Sequence, residues 1–167
     1  MQSEPLEVSI YRLLKKYNYK MTTAESATGG MIASTLVNVP GISSFFEQGY
    51  VTYSDAAKIS MIGVPAETIR RFGVVSAETA RAMAEGAART AGCEAALSVT
   101  GVAGPDGGTE ECPVGLVYIG CHMRGRTVAE RHLFDGDRMA VRRAAAETAL
   151  RLLKRMLEEE GGSICEL

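Results

Sequence analysis

Tyr19 to Val37, YKMTTAESATGGMIASTLV, changes character twice, and that change decides the fold. Tyr19 to Ala24 reads as a short strand, Glu25 to Gly30 as a tight turn of small and polar residues, and Gly30 to Val37 as a helix closed by Asn38 and Pro40-Gly41. A strand that runs through such a turn into a helix is the building unit of a layered α/β domain. Upstream, Leu6, Ile10, Leu13, Leu14 and Tyr17 recur at helical spacing, with Ser3 as a cap, Pro5 in the first turn and Asn18 as the stop. Downstream, a second strand at about Gly49 to Tyr53 meets Ser54-Asp55, a helix start whose helix carries Lys58.

The same reading continues to the end of the chain. Pro65 opens a helix that stops at Gly73. Ser76 caps another, with a small-residue face of Ala80, Met83, Ala84 and Ala87 and a stop at Gly92. Glu94 to Thr100 is a strand that feeds the loop Gly101 to Gly108. Val114 to Met123 and Thr127 to Phe134 are strands joined at Arg124-Gly125, hence an antiparallel hairpin. Asp137 caps a last helix with Val141, Ala145, Leu150, Leu153 and Leu157 inward. The expectation is a three-layer α/β/α domain with a mixed sheet, one domain over residues 1–160 and a frayed tail at 161–167.

Composition bounds the function. The chain has 167 residues, 46% of them apolar, and a formal net charge of −2. That is enough for one core, and it offers no electrostatic case for a nucleic-acid partner. No apolar run approaches the roughly 20 residues of a membrane helix, and the N-terminus has no signal-peptide pattern, so a cytoplasmic protein is expected. Cys93, Cys112, Cys121 and Cys165 are scattered, and His122 and His132 fall in strands as packing or surface residues. No metal-ligand spacing results, and no disulfide framework is expected. Glycine is in excess, with 18 residues against an average of roughly 7%.

Three strand-end turns concentrate the chemistry, and ligands of open α/β sheets bind beyond the carboxyl ends of strands. In the first, Ser26, Ala27, Thr28, Gly29 and Gly30 offer a hydroxyl and backbone donors at a helix start, though Ser26 or Thr28 also suits a plain cap. In the second, Tyr53 and Lys58 combine a hydroxyl with an amine that burial can turn into a base; a packed tyrosine and a solvated lysine is the plainer alternative. Four residues separate Tyr53 from Lys58, which excludes a Tyr-x-x-x-Lys dehydrogenase. The third, Thr100 with Gly101, Gly104, Gly107 and Gly108, lacks the Gly-Lys-Ser/Thr of a P-loop but suits a backbone cradle. Arg138 and Arg142 share a helix face and can grip a phosphate, or else belong to a surface charge cluster.

Taken together, T-A-E-S-A-T-G-G, F-x-x-G-Y-V-T-Y-S-D-A-A-K, G-V-V-S-A-E-T-A, T-G-V-A-G-P-D-G-G, C-P-V-G and F-D-G-D-R-x-x-V-R resemble the CinA C-terminal domain family, whose enzymes are nicotinamide-nucleotide amidohydrolases. The resemblance covers about residues 6 to 157 in unbroken order. It implies hydrolysis of nicotinamide mononucleotide (NMN) to nicotinate mononucleotide and ammonia, in pyridine nucleotide salvage and without a cofactor. By the same resemblance Ser26 is the nucleophile, Tyr53 and Lys58 its catalytic partners, and Thr100, the glycine loop and Arg138 the ligand-binding residues. Ala27 stands where the family has cysteine, and Cys112 where it has lysine before P-V-G. Some relatives carry an N-terminal domain, so a standalone form is expected. The small-residue helix faces and the exposed strand-rich segments, together with the family, point to a homo-oligomer. The second functional class open to this sequence is a non-catalytic nucleotide-binding or regulatory interaction protein of the same fold.

Overall fold

The computed structural model describes residues 4–163, and Ser3 and Cys165 lie outside them. The chain begins with helix α1 (Leu6–Tyr17), entered through Pro5 at the cap position and closed by Asn18 in the left-handed conformation. Strand β1 (Met21–Glu25) follows, buried at every residue, then helix α2 (Met31–Leu36) and a 3-10 turn at Ile42–Ser44. Strand β2 (Tyr50–Val51) leads to helix α3 (Asp55–Ile62), whose cap Ser54 accepts from the Ala57 amide. Helices α4 (Ala66–Phe72) and α5 (Ala77–Ala91) precede strands β3 (Ala95–Gly101), β4 (Leu116–Met123) and β5 (Arg126–Leu133). The last element is helix α6 (Arg138–Ser163).

The sheet order is β2-β1-β3-β4-β5. The β2, β1 and β3 strands are mutually parallel, whereas β4 and β5 run antiparallel as a hairpin. Arg124 and Gly125 both take positive φ at the hairpin tip (45° and 84°), as a two-residue turn between twisted strands requires. Helices α1, α2 and α6 cover one face and α3, α4 and α5 the other, so the expected three-layer mixed-sheet architecture holds.

The two layers differ in depth because alternate β residues face opposite ways. Leu97 and Val99 of β3, with Ile119 and Cys121 of β4, meet Ile10, Leu14, Leu150, Leu153 and Leu157 in the larger core. Ala24 and Ala96 meet Met83, Ala87 and Ile62 in the smaller one. On that side Ser98 Oγ donates to the Ala80 carbonyl at 2.6 Å. Gly120, opposite Ser98 in the register, lies so close that an added Cβ would sit 2.5 Å from the Ala80 carbonyl oxygen. Helix α5 thus spends its small-residue face on the sheet of its own chain. It leaves that face no part in an oligomer contact, contrary to the use the sequence suggested. Helix α3 approaches α5 equally closely, since a Cβ on Gly86 would fall 2.0 Å from the Ile62 carbonyl oxygen.

Several boundaries shift for local reasons. The β2 strand is only two residues long: the Thr52 amide makes its last ladder bond, to the Glu25 carbonyl (2.9 Å), and Ser54 already caps α3. The α2 helix starts at Met31 rather than Gly30, which serves as a left-handed cap residue at φ 104°. The α6 helix continues through Ser163, past the Glu160 at which a frayed tail was expected; residues 164–167 lie outside the described residues. Among the described residues no helix is long and apolar enough to cross a membrane. Leu153 is fully buried where α6 crosses the sheet, so Leu153→Ala should cost about 2–5 kcal/mol in urea unfolding with an unchanged m-value.

Candidate active site

Beyond the carboxyl ends of β1, β2 and β3 lies a crevice of about 370 Å³ lined by Ser26, Tyr53, Lys58, Thr100, Gly104 and Arg138 among others. Crevices of this size suit small molecules. Its deepest polar contact joins two residues far apart in the chain. Lys58 is 1% exposed, and its ammonium donates to the Ser26 hydroxyl at 3.2 Å and to the Thr52 carbonyl at 2.9 Å. Capping by Ser54 sets the start of α3 and so the rotation that turns Lys58 inward. Burial pushes the Lys58 amine below its ordinary value, and nearby Asp55 opposes that shift. A lysine so placed can give up its proton nearer neutrality and accept one from a hydroxyl.

Ser26 follows the last residue of β1, with its amide bonded to the Val99 carbonyl at 3.0 Å and its own carbonyl accepting from Gly29 at 3.0 Å. Ser26 to Gly29 is therefore a β-turn between strand and helix. The Ser26 carbonyl points into the turn, so the Ala27 N–H of the same trans peptide points out of it. Among the described residues that amide has no protein acceptor, and Ala27 lines the crevice. A donor beside a nucleophilic hydroxyl is what a developing oxyanion needs.

Other assignments change. Tyr53 is 64% exposed at the rim, and its hydroxyl accepts from Arg138 at 2.9 Å rather than joining Lys58 to Ser26. Lys58 contacts Ser26 directly. Arg138 also donates to the Gly104 carbonyl at 2.7 Å, tying the glycine loop to the second turn. Arg142 does not face the crevice as a phosphate grip: its guanidinium donates to the carbonyls of Ala27 (2.9 Å) and Thr28 (3.1 Å). The first-turn amides of α2 are not free for a ligand either, because the buried Glu25 carboxylate accepts from Ile32 (2.9 Å) and Ala33 (3.0 Å).

Of the six glycines read as ligand contacts, Gly101, Gly104 and Gly107 line the crevice while Gly29, Gly30 and Gly108 do not. Gly108 is there for packing, since a Cβ would come within 2.9 Å of Val114. Thr28 is fully buried and away from the lining. Thr100 lines it, but its hydroxyl already donates to the Val74 carbonyl at 2.8 Å. Val74, Val75 and Asp55 complete the walls without having been singled out as site residues. The G-V-V-S stretch was the available signal for the two valines, and Asp55 passed as part of a helix start. Cys112 and both histidines lie outside the lining.

A family model described as the CinA C-terminal domain matches residues 3–157. The chain belongs to this family. A CinA-like protein of Kosmotoga olearia is 47% identical over 92% of the chain, which spans 37% of that relative's length. A putative competence-damage inducible protein of Clostridium beijerinckii is 49% identical over 91% of the chain and again 37% of its own length. Solved CinA structures share the fold. The competence damage-inducible protein A of Klebsiella pneumoniae superposes at a TM-score of 0.88, with 36% identity over 92% of this chain and 95% of its own. The Agrobacterium tumefaciens protein CihA gives 0.84, with 38% identity over 95% and 99%.

In this CinA domain the burial of Lys58 makes stability depend on pH. Between its lowered folded pKa and the ordinary value of 10.5 the unfolded chain binds the extra proton. The unfavourable contribution of Lys58 is therefore complete below its folded pKa and fades as pH climbs towards 10.5. In paired urea melts, the stability of wild type relative to Lys58→Met should rise over that window and stay flat below it.

Proposed function

We propose that this chain is a C–N hydrolase that converts the carboxamide of NMN to a carboxylate and ammonia through a serine–lysine pair. The observation that carries the reading is the 3.2 Å contact between the buried Lys58 ammonium and the Ser26 hydroxyl. Neutral Lys58 takes the proton as Ser26 Oγ bonds to the amide carbon, and the outward Ala27 amide donates to the oxyanion. Protonated Lys58 then passes its proton to the departing nitrogen, which leaves as ammonia. Water, deprotonated by Lys58, cleaves the acyl-serine and restores both groups. With alanine at position 27, no thiol there competes with the Ser26 hydroxyl as nucleophile.

Substrate recognition in this reading falls to the rim. Arg138 sits against the Gly104 carbonyl and the Tyr53 hydroxyl, and Tyr53 keeps its own proton free to donate. Together with the loop Gly101 to Gly107, which also brings Asp106 to the lining, they offer one guanidinium and a glycine-rich backbone to a ribose phosphate. Family membership supports the same site, and the replacement of the usual lysine by Cys112 lies away from the crevice lining. The proposed setting is cytoplasmic pyridine nucleotide salvage.

Ammonia release from NMN by the purified protein is the deciding assay. Ser26→Ala should lower kcat by about a thousandfold or more, because nucleophile and base act as a unit. Retained nucleotide binding with no ammonia release by wild type would identify a non-catalytic binding protein instead. The pH profile of kcat/KM should rise through the lowered Lys58 pKa, and that limb should vanish in Lys58→Met. Arg138→Ala should raise KM for NMN by roughly tenfold or more and should affect the riboside much less, as expected for a charge-assisted phosphate contact.

A further inference from the structure

The Ser26 turn is held from two sides by charged side chains, Arg142 and Glu25. Its central peptide, between Ala27 and Thr28, is the one whose rotation interconverts type I and type II turns at little cost. Arg142 Nε binds the carbonyl of that peptide at 2.9 Å, and Nη2 binds the next carbonyl, that of Thr28, at 3.1 Å. A planar guanidinium that takes two successive carbonyls fixes both peptide planes. Gly29, at φ 56°, passes directly beneath it, with an added Cβ only 3.3 Å from Arg142 Nη2. Thr28 keeps a negative φ, since Asn18 and Arg124 are the only non-glycine residues with positive φ among those described.

Glu25 acts on the other flank. Its carboxylate is 1% exposed and bridges to the Ile32 and Ala33 amides at 2.9 and 3.0 Å, so the end of β1 is tied to the first turn of α2 across the loop. Its backbone carbonyl meanwhile accepts from Thr52, the residue whose own carbonyl holds Lys58. We infer that Arg142 and Glu25 are positioning residues: they lock the Ser26–Gly29 turn so that the Ser26 hydroxyl and the outward Ala27 amide stay aligned for attack. This rests on Ser26 being the nucleophile, as proposed above, but not on NMN being the substrate.

A misplacement of about 1 Å at a reacting group can cost a hundredfold in rate. Arg142→Ala should therefore lower kcat on NMN by about a hundredfold with KM within twofold of wild type, and added guanidinium should restore part of the loss. Labelling of Ser26 by a fluorophosphonate, which needs an aligned hydroxyl and oxyanion donor but no nucleotide, should slow in parallel. Glu25→Gln, which keeps one acceptor, should slow labelling less than Arg142→Ala. Arg142→Lys, which retains charge and length without the fork, serves if the alanine variant does not fold, and should remain at least tenfold slow. Labelling at the wild-type rate in folded Arg142→Ala or Arg142→Lys would overturn the inference. A rise in KM with unchanged kcat and labelling would do so too, and would make Arg142 a phosphate ligand. If wild type labels at Ser26 but releases no ammonia from NMN, the substrate assignment fails while the labelling comparison still decides the clamp.

Discussion

An amine taken out of water must be neutral, paired, or both, and the arrangement around Lys58 answers that demand. The residue is fully enclosed, faces one hydroxyl and one backbone carbonyl, and has only Asp55 nearby to favour its charged form. Everything near it follows from keeping those two acceptors in place. The β1 strand must end at Glu25 so that Ser26 arrives from one side. The β2 strand must leave the sheet after Val51 so that Thr52 arrives from the other. The helix that carries the lysine must begin at Asp55, one residue after its serine cap.

The N-terminal end of α6 completes the frame from outside the parallel strands. Arg138 and Arg142 are one helical turn apart, so they project from the same face. The first reaches the second turn and the glycine loop, the second reaches the Ser26 turn. Three loops that are separate in sequence are thereby referred to one rigid helix, which is itself anchored in the larger core through Val141, Ala145, Leu150 and Leu153. The antiparallel hairpin contributes nothing to the crevice lining. Its β4 strand extends the sheet over which α5 and α6 pack.

Much of this was legible in the residues. Helix caps such as Ser54, Ser76 and Asp137, the hairpin tip and the strand-end turns are local features, and each occurs where its side-chain chemistry requires. Ser26 and Lys58 were singled out through the resemblance to family motifs, while the segments by themselves suited a plain cap and a solvated lysine equally well. What sequence could not supply was direction. The bonds made by Arg142 and Glu25 end on backbone carbonyls and amides, which look the same at every residue, so nothing in the letters distinguishes a clamp from a phosphate grip. The contact of the Tyr53 hydroxyl with Arg138 was hidden for the same reason, since its distance to Lys58 along the chain says little about which neighbour that hydroxyl meets. Of the six glycines read as ligand contacts three line the crevice, while Gly29 and Gly30 take positive φ in the turn and Gly108 packs against Val114.

Gly86 sits on the far side of α3 from any ligand, pressed against the Ile62 carbonyl with no room for a methyl group. The spacing between α3 and α5 is thus set by a hydrogen atom. Lys58 rides on α3, so the reach of its amine towards Ser26 is inherited from that spacing. The geometry of the crevice is in this sense set partly by a contact, Gly86 against Ile62, that lies outside its lining. A change confined to that interior contact would therefore move the Lys58 amine relative to Ser26 with every residue of the crevice lining left intact.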